Sequence, residues 1–176
     1  MTSQLQRRQI HSMKILGGSL PMIKIRPIEN DDIRSCLTIL RSLSQWFGIE
    51  DAIVQYGQNL ESLDGYVALQ DDDIVGFIGL KRYRDVSVEI DVIGVDPNLR
   101  GTGIGTRLIE VVESNFDMAT QLFHTKTLAP SNPDANYAET RAFWLARGFL
   151  PMDAHELWGT QNPCLVMVKP MNIRNV

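Results

Sequence analysis

The run Val95-Asp96-Pro97-Asn98-Leu99-Arg100-Gly101-Thr102-Gly103-Ile104-Gly105 packs three glycines into the opening of a helix. Beyond it, Ile104, Leu108, Ile109, Val111, Val112 and Phe116 recur at the spacing of one apolar helical face. A glycine inside a helix is worse than alanine by roughly 1 kcal/mol. Gly103 and Gly105 therefore need a local reason, and close approach of another molecule to the backbone is one. The first N–H groups of a helix have no intrahelical acceptor and carry partial positive charge. An anion such as a phosphate is stabilised there, and glycines let it come close.

The strand upstream points the same way. Its apolar residues hold even positions at first (Val86, Val88, Ile90, Val92) and then odd ones (Ile93, Val95). Side chains alternate strictly along a regular strand, so one core face stays covered only if a residue is inserted. The pattern predicts a β-bulge near Val92 to Gly94, with a backbone N–H left out of the ladder and Gly94 open to a neighbour.

Outward from this centre, Ile23 to Ile28 alternates and holds Pro27, which suits an edge strand. Asn30 is positioned to cap a helix whose apolar stripe is Ile33, Cys36, Leu37, Leu40 and Leu43. A second short helix covers Asp51 to Leu60. Strands follow at Tyr66 to Leu69 and Ile74 to Tyr83, joined by the turn Asp71-Asp72-Asp73. After the glycine-led helix come a strand at Leu122 to Leu128, a helix at Tyr137 to Arg147, and strands at Phe149 to Trp158 and Cys164 to Lys169. Strand-rich first and alternating later, this order gives a mixed α/β chain of the α+β type, with helices on the faces of a mixed sheet.

The 176 residues allow one domain with a full core, read as Met22 to Val176 behind a loosely attached extension at 1–21. A formal charge of −4 argues against a general nucleic-acid binder. No apolar run is long enough to cross a bilayer, so no membrane role is expected. The two cysteines, Cys36 and Cys164, sit far apart in apolar contexts, which fits core packing in a reducing cytoplasm. His11, His124 and His155 show no ligand spacing, and no metal is assigned.

The glycine run resembles the acetyl-CoA signature of the GNAT superfamily of N-acetyltransferases: Arg or Gln, two residues, Gly, one residue, then Gly or Ala. Arg100, Gly103 and Gly105 fill those places. The segment Ala142-Phe143-Trp144-Leu145-Ala146-Arg147-Gly148-Phe149 resembles the second family motif, and the likeness spans about Ile23 to Met171. Lys126 to Pro130 and Asn162 to Lys169 are similar to members whose acceptors are unassigned. The resemblance implies a mostly antiparallel sheet of six to seven strands with about four helices, splayed into a V at the strand ending in Val95. It implies acetyl-CoA as co-substrate, held by Ile93, Gly94, Val95, Arg100, Gly101, Thr102, Gly103, Ile104, Gly105 and Thr106, with Asn136 and Trp144 from the second motif.

Acetyl transfer needs a neutral amine, whereas an alkylamine of lysine-like pKa, about 10.4, is mostly protonated at neutral pH. Some group must take that proton. By the resemblance Glu89 is the base, with Asp91 in reserve. Trp144 occupies the place where many members carry a tyrosine acid, and an indole N–H is no acid of useful pKa. Tyr137, two turns earlier and standing where many members have Asn, is the displaced candidate for assisting the leaving thiolate. Trp46, Phe47, Tyr83 and Trp158 are candidates for the acceptor's mouth.

The expected activity is acetyl transfer to a primary amine, small-molecule or peptide, by a monomer or homodimer. The alternative is a CoA-binding regulatory module without catalysis. Other phosphate readings fail: no Lys follows the glycines as a P-loop needs, and the dinucleotide fingerprint counted from Gly101 ends on Thr106.

Overall fold

The computed structural model describes residues 22–62, 64–84, 86–116 and 119–171; the extension at 1–21 lies outside them. Lys24–Pro27 (β1) runs along the edge of a sheet and pairs only with Asp64–Gln70 (β2), so Pro27 meets a single ladder. Between them lie Ile33–Ser42 (α1) and Glu50–Leu60 (α2). Asn30 does not cap α1. It opens a single 3₁₀ turn, Asn30–Asp32, and Asp32 Oδ2 accepts from the Glu29 N–H at 2.8 Å. Asp32 holds the N-cap place of α1 but makes no side-chain cap bond to it; its carboxylate closes the 3₁₀ turn instead.

β2 turns directly into Asp73–Tyr83 (β3), with Gln70 opposite Asp73. Asp71 and Asp72 take φ of 50° and 70°, the left-handed pair that a two-residue hairpin of this twist requires. Ser87–Val95 (β4) continues the meander, Ile104–Asn115 (α3) crosses over, and Leu122–Leu128 (β5) returns parallel to β4. Ala135–Leu145 (α4), Leu150–His155 (β6) and Cys164–Pro170 (β7) complete the chain. The sheet has seven strands in the order β1-β2-β3-β4-β5-β7-β6, antiparallel except at β4–β5.

Two cores result. Leu108, Ile109 and Val112 of α3 and Trp144 of α4 bury one face with Val88, Ile90 and Phe123. Cys36 and Leu40 of α1 and Ile53 and Leu60 of α2 bury the other with Val67, Phe77 and Val92. Among the described residues no helix is long and apolar enough to cross a membrane.

Candidate active site

β4 carries the inserted residue that its parity change demands, slightly earlier than Val92 to Gly94. Leu80 of β3 faces Ile90 and Gly79 faces Val92, which leaves Asp91 as the extra residue. The shift keeps Val88, Ile90, Ile93 and Val95 against the α3–α4 core, while Val92 joins the α1–α2 core. The bulge also ends a ladder. β4 and β5 pair from Ser87 and Leu122 only as far as Ile90 and Thr125. Beyond that point β4 continues beside β3 and β5 beside β7, so the two parallel strands fork. Thr125 Oγ1 donates to the Ile90 carbonyl at 3.1 Å and closes the apex.

Ile93, Gly94 and Val95 line the β4 arm of this V. Gly94 serves packing rather than an open approach: a Cβ there would meet Phe77 at 2.9 Å and Ile39 at 3.2 Å. On the β5 arm, the Thr127 hydroxyl is buried with no hydrogen-bond partner among the described residues.

Glu89 lies one residue before the apex and is only 3% exposed. Lys126, one residue past the apex on β5, donates from Nζ to Glu89 Oε1 at 2.5 Å. Tyr83 of β3 donates its hydroxyl to Glu89 Oε2 at 2.8 Å. A buried carboxylate is costly unless paired, and here both oxygens are engaged. Burial alone pulls the Lys126 ammonium down, but the hydrogen bond and charge of Glu89 outweigh it and hold Lys126 above the usual lysine range. His124, across the ladder from Glu89, rests its ring 5.6 Å from that of Tyr83, and burial lowers its pKa. Asp91 turns instead toward α2, where Asn59 Nδ2 donates to it at 3.0 Å. Tyr56, also on α2, has its hydroxyl pushed up to about 12 by burial and by the charges of Asp91, Tyr137 and Glu89.

The glycine run divides into two parts. Gly101 and Gly103 have φ of +76° and +92°, and a Cβ at either would meet nothing within 4 Å. Gly105 lies inside α3, where a Cβ would come within 3.3 Å of the Phe143 ring of α4. Its reason is helix packing, while the other two supply left-handed backbone beside open space. The first helical bond runs from Arg107 N–H to Gly103 carbonyl, so the N–H groups of the first turn have no intrahelical acceptor. Thr102 and Thr106 use their hydroxyls within the protein, the first donating to the Leu99 carbonyl and the second accepting from Arg147. Ile104 is core.

Arg100 lies with its guanidinium carbon 4.0 Å from the Trp46 ring centroid and 3.9 Å from Glu139 at Nη2. Trp46 Nε1 donates to the Asn136 carbonyl at 3.3 Å, and Tyr137 donates its hydroxyl to the Trp46 carbonyl at 2.9 Å. The segment between α1 and α2 is thereby tied to the first turn of α4 and to the glycine loop. Burial, and then Asp134, raises the Tyr137 pKa. Trp144 is 3% exposed and wedged edge-on between Phe143 and Phe149, so its place in the second motif is a packing position. Lys126, Tyr56 and His124 have no assigned role from sequence alone; parallel strand register brings Lys126 and His124 to Glu89, and helix docking brings Tyr56.

Residues 34–149 match the model of the acetyltransferase (GNAT) family. The chain belongs to the GNAT acetyltransferase family. Solved GNAT structures share its fold at low identity. The ribosomal-protein-S18-alanine N-acetyltransferase from Escherichia coli has a TM-score of 0.70 at 17% identity, covering 88% of this chain and 99% of that one. An aminoglycoside 6'-N-acetyltransferase complexed with coenzyme A gives 0.69 at 17%, covering 87% and 99%. PaiA N-acetyltransferase from Thermoplasma acidophilum, in complex with coenzyme A, gives 0.67 at 16%, covering 85% and 99%.

The GNAT site in this chain suits coenzyme A on its own chemistry. The open space beside Gly101 and Gly103 and the first-turn N–H groups of α3, which have no intrahelical acceptor, could receive an anion, with the Arg100 charge one residue before Gly101. The fork supplies a slot between two strands in which main-chain groups have lost their ladder partners.

Proposed function

We propose that this acetyltransferase moves the acetyl group of acetyl-CoA to a primary amine by direct attack, with Glu89 as the base for the amine's proton. The observation that carries the reading is the position of Glu89: buried, paired with Lys126, and one residue from the point where β4 and β5 part. Acetyl-CoA supplies the acetyl group as an activated thioester, and the C–S bond broken in the transfer releases CoA as the thiol. Gly101, Gly103 and the first turn of α3 would hold its diphosphate, Arg100 would add a charge, and the β4 main chain from Ile93 to Val95 would bind the arm leading to the thioester. A backbone N–H on that arm is suited to stabilise charge on the thioester oxygen.

Lys126 donates to Glu89 Oε1 and so offsets the cost of burying a carboxylate there. Asp91 turns to Asn59 of α2 and stays in reserve. Tyr137 is poorly suited to act as the acid, because its hydroxyl already donates to the Trp46 carbonyl and burial raises its pKa. The acceptor is a small-molecule or peptide amine, the classes named for the aminoglycoside and ribosomal-protein enzymes of the same fold.

The test is thiol release from acetyl-CoA with kanamycin, spermidine and an alanyl peptide, beside calorimetric binding of acetyl-CoA. Turnover that falls about a hundredfold or more in Glu89→Gln, with binding retained, is the expected result. Binding without turnover of any amine would leave the non-catalytic CoA-binding module as the better reading.

A further inference from the structure

Resting on that reading, the contacts of Glu89 constrain the path of the acceptor's proton. The carboxylate is 3% exposed and has one donor on each oxygen. With so little surface, an incoming ammonium does not reach it directly, and a side chain already in contact offers the proton a path. Lys126 is unsuited to this, because an ammonium has no lone pair to accept a proton. Tyr83 is suited: a hydroxyl both donates and accepts, it bonds Glu89 Oε2 at 2.8 Å, and the residue is 36% exposed.

We infer that the Tyr83 hydroxyl relays the acceptor's proton to Glu89. An N–H bond of the ammonium breaks as an O–H bond forms at Tyr83 Oη, while the original Tyr83 proton bonds Glu89 Oε2. The products are a neutral amine, a tyrosine still protonated and a neutral Glu89 carboxyl. After turnover the reverse shuttle returns the proton to solvent.

The surroundings of the pair are defined. Lys81 of β3 lies 5.5 Å from the Tyr83 ring centroid. His124 of β5 packs its ring beside Tyr83, and Lys126, also of β5, lies next to Glu89 of β4. Tyr56 of α2 and Cys164 of β7 are near enough to feel the Glu89 charge. Of these groups, only Tyr83 and Lys126 hydrogen-bond to the Glu89 side chain in the described structure.

Tyr83→Phe tests the relay, because it keeps the ring and removes the hydroxyl. Measured with whichever amine of the panel turns over best, kcat/KM of the variant is expected to be down about a hundredfold near neutral pH. The deficit should narrow as pH approaches the acceptor's pKa of about 10.4, because the variant depends on amine already neutral in solution. Acetyl-CoA affinity by calorimetry should stay close to wild type, while the thermal midpoint falls by a few degrees because Glu89 Oε2 loses its donor. A variant that follows the wild-type profile overturns the relay, and so does a loss of equal size at every pH. Wild-type protein inert on every amine, yet binding acetyl-CoA, overturns the parent reading and the relay with it; an active wild type confines any failure to the relay.

Discussion

Arg100 stacks on Trp46, its guanidinium carbon 4.0 Å from the ring centroid, and so joins the glycine loop to the segment between α1 and α2. Stacking holds the guanidinium plane while leaving its N–H edge available to a phosphate. Such contacts are worth about 0.5–1 kcal/mol at exposed sites. Trp46→Ala is therefore expected to weaken acetyl-CoA binding about two- to fivefold by loosening Arg100, and Arg100→Ala to weaken it more. Calorimetric titration measures both, and equal affinity in Trp46→Ala and wild type would show that the stack positions nothing.

Gly103 distinguishes backbone strain from ligand fit. Its φ of +92° makes any L side chain strained, at roughly 1–2 kcal/mol, yet a Cβ would meet no protein atom within 4 Å. Gly103→Ala should thus lower the thermal midpoint modestly, by a few degrees, while acetyl-CoA affinity falls by at least tenfold because the methyl group enters the space proposed for the diphosphate. Unchanged affinity alongside the lower midpoint would place the diphosphate elsewhere.

Much of this arrangement is legible in the sequence because it is local. The switch from Val88 and Ile90 to Ile93 and Val95 demands an inserted residue, and one is present at Asp91. The exact residue was less legible, since a polar Asp91 and an apolar Val92 both suit a bulge. Gly94 and Gly105 read as ligand approaches but are filled by Phe77 with Ile39 and by Phe143, contacts that depend on how helices dock. The partners of Glu89 were least legible. Lys126 is 37 residues away, and only the parallel register of β4 and β5 brings the two together. No local pattern encodes a register set by the crossover helix.

The Lys126–Glu89 pair makes an asymmetric prediction about stability. Lys126→Met leaves a buried carboxylate without its counter-charge, a change that costs about 3 kcal/mol. Glu89→Gln leaves a lysine whose side chain is 32% exposed and can still reach water, so its cost is smaller, about 1 kcal/mol. The double variant should then be more stable than Lys126→Met alone, because the unpaired charge is gone. Urea unfolding of the three variants reads the order directly. A double variant less stable than both singles would mean that the pair's weight lies in packing rather than in charge.

Asp32 gives the fold a defined acid sensitivity. Its carboxylate is buried, accepts from Arg26 at 2.6 and 2.8 Å and from the Glu29 N–H at 2.8 Å, and ties β1 to the start of α1. The Arg26 hydrogen bond, helped by that of Glu29 and opposed by burial, holds its pKa below the ordinary aspartate value. A carboxylate with a depressed folded pKa stabilises the folded state fully above its unfolded pKa, about 3.9, and that stability is lost as pH falls through the folded value. Asp32→Asn should cost roughly 2–3 kcal/mol at neutral pH, from two charge-assisted bonds weakened together. The difference from wild type should persist down to about pH 5 and shrink below about pH 4, as the wild-type carboxylate itself becomes protonated. Urea midpoints of both proteins across that range measure the effect; a gap that stays constant into acid would mean that Asp32 acts through its shape and not its charge.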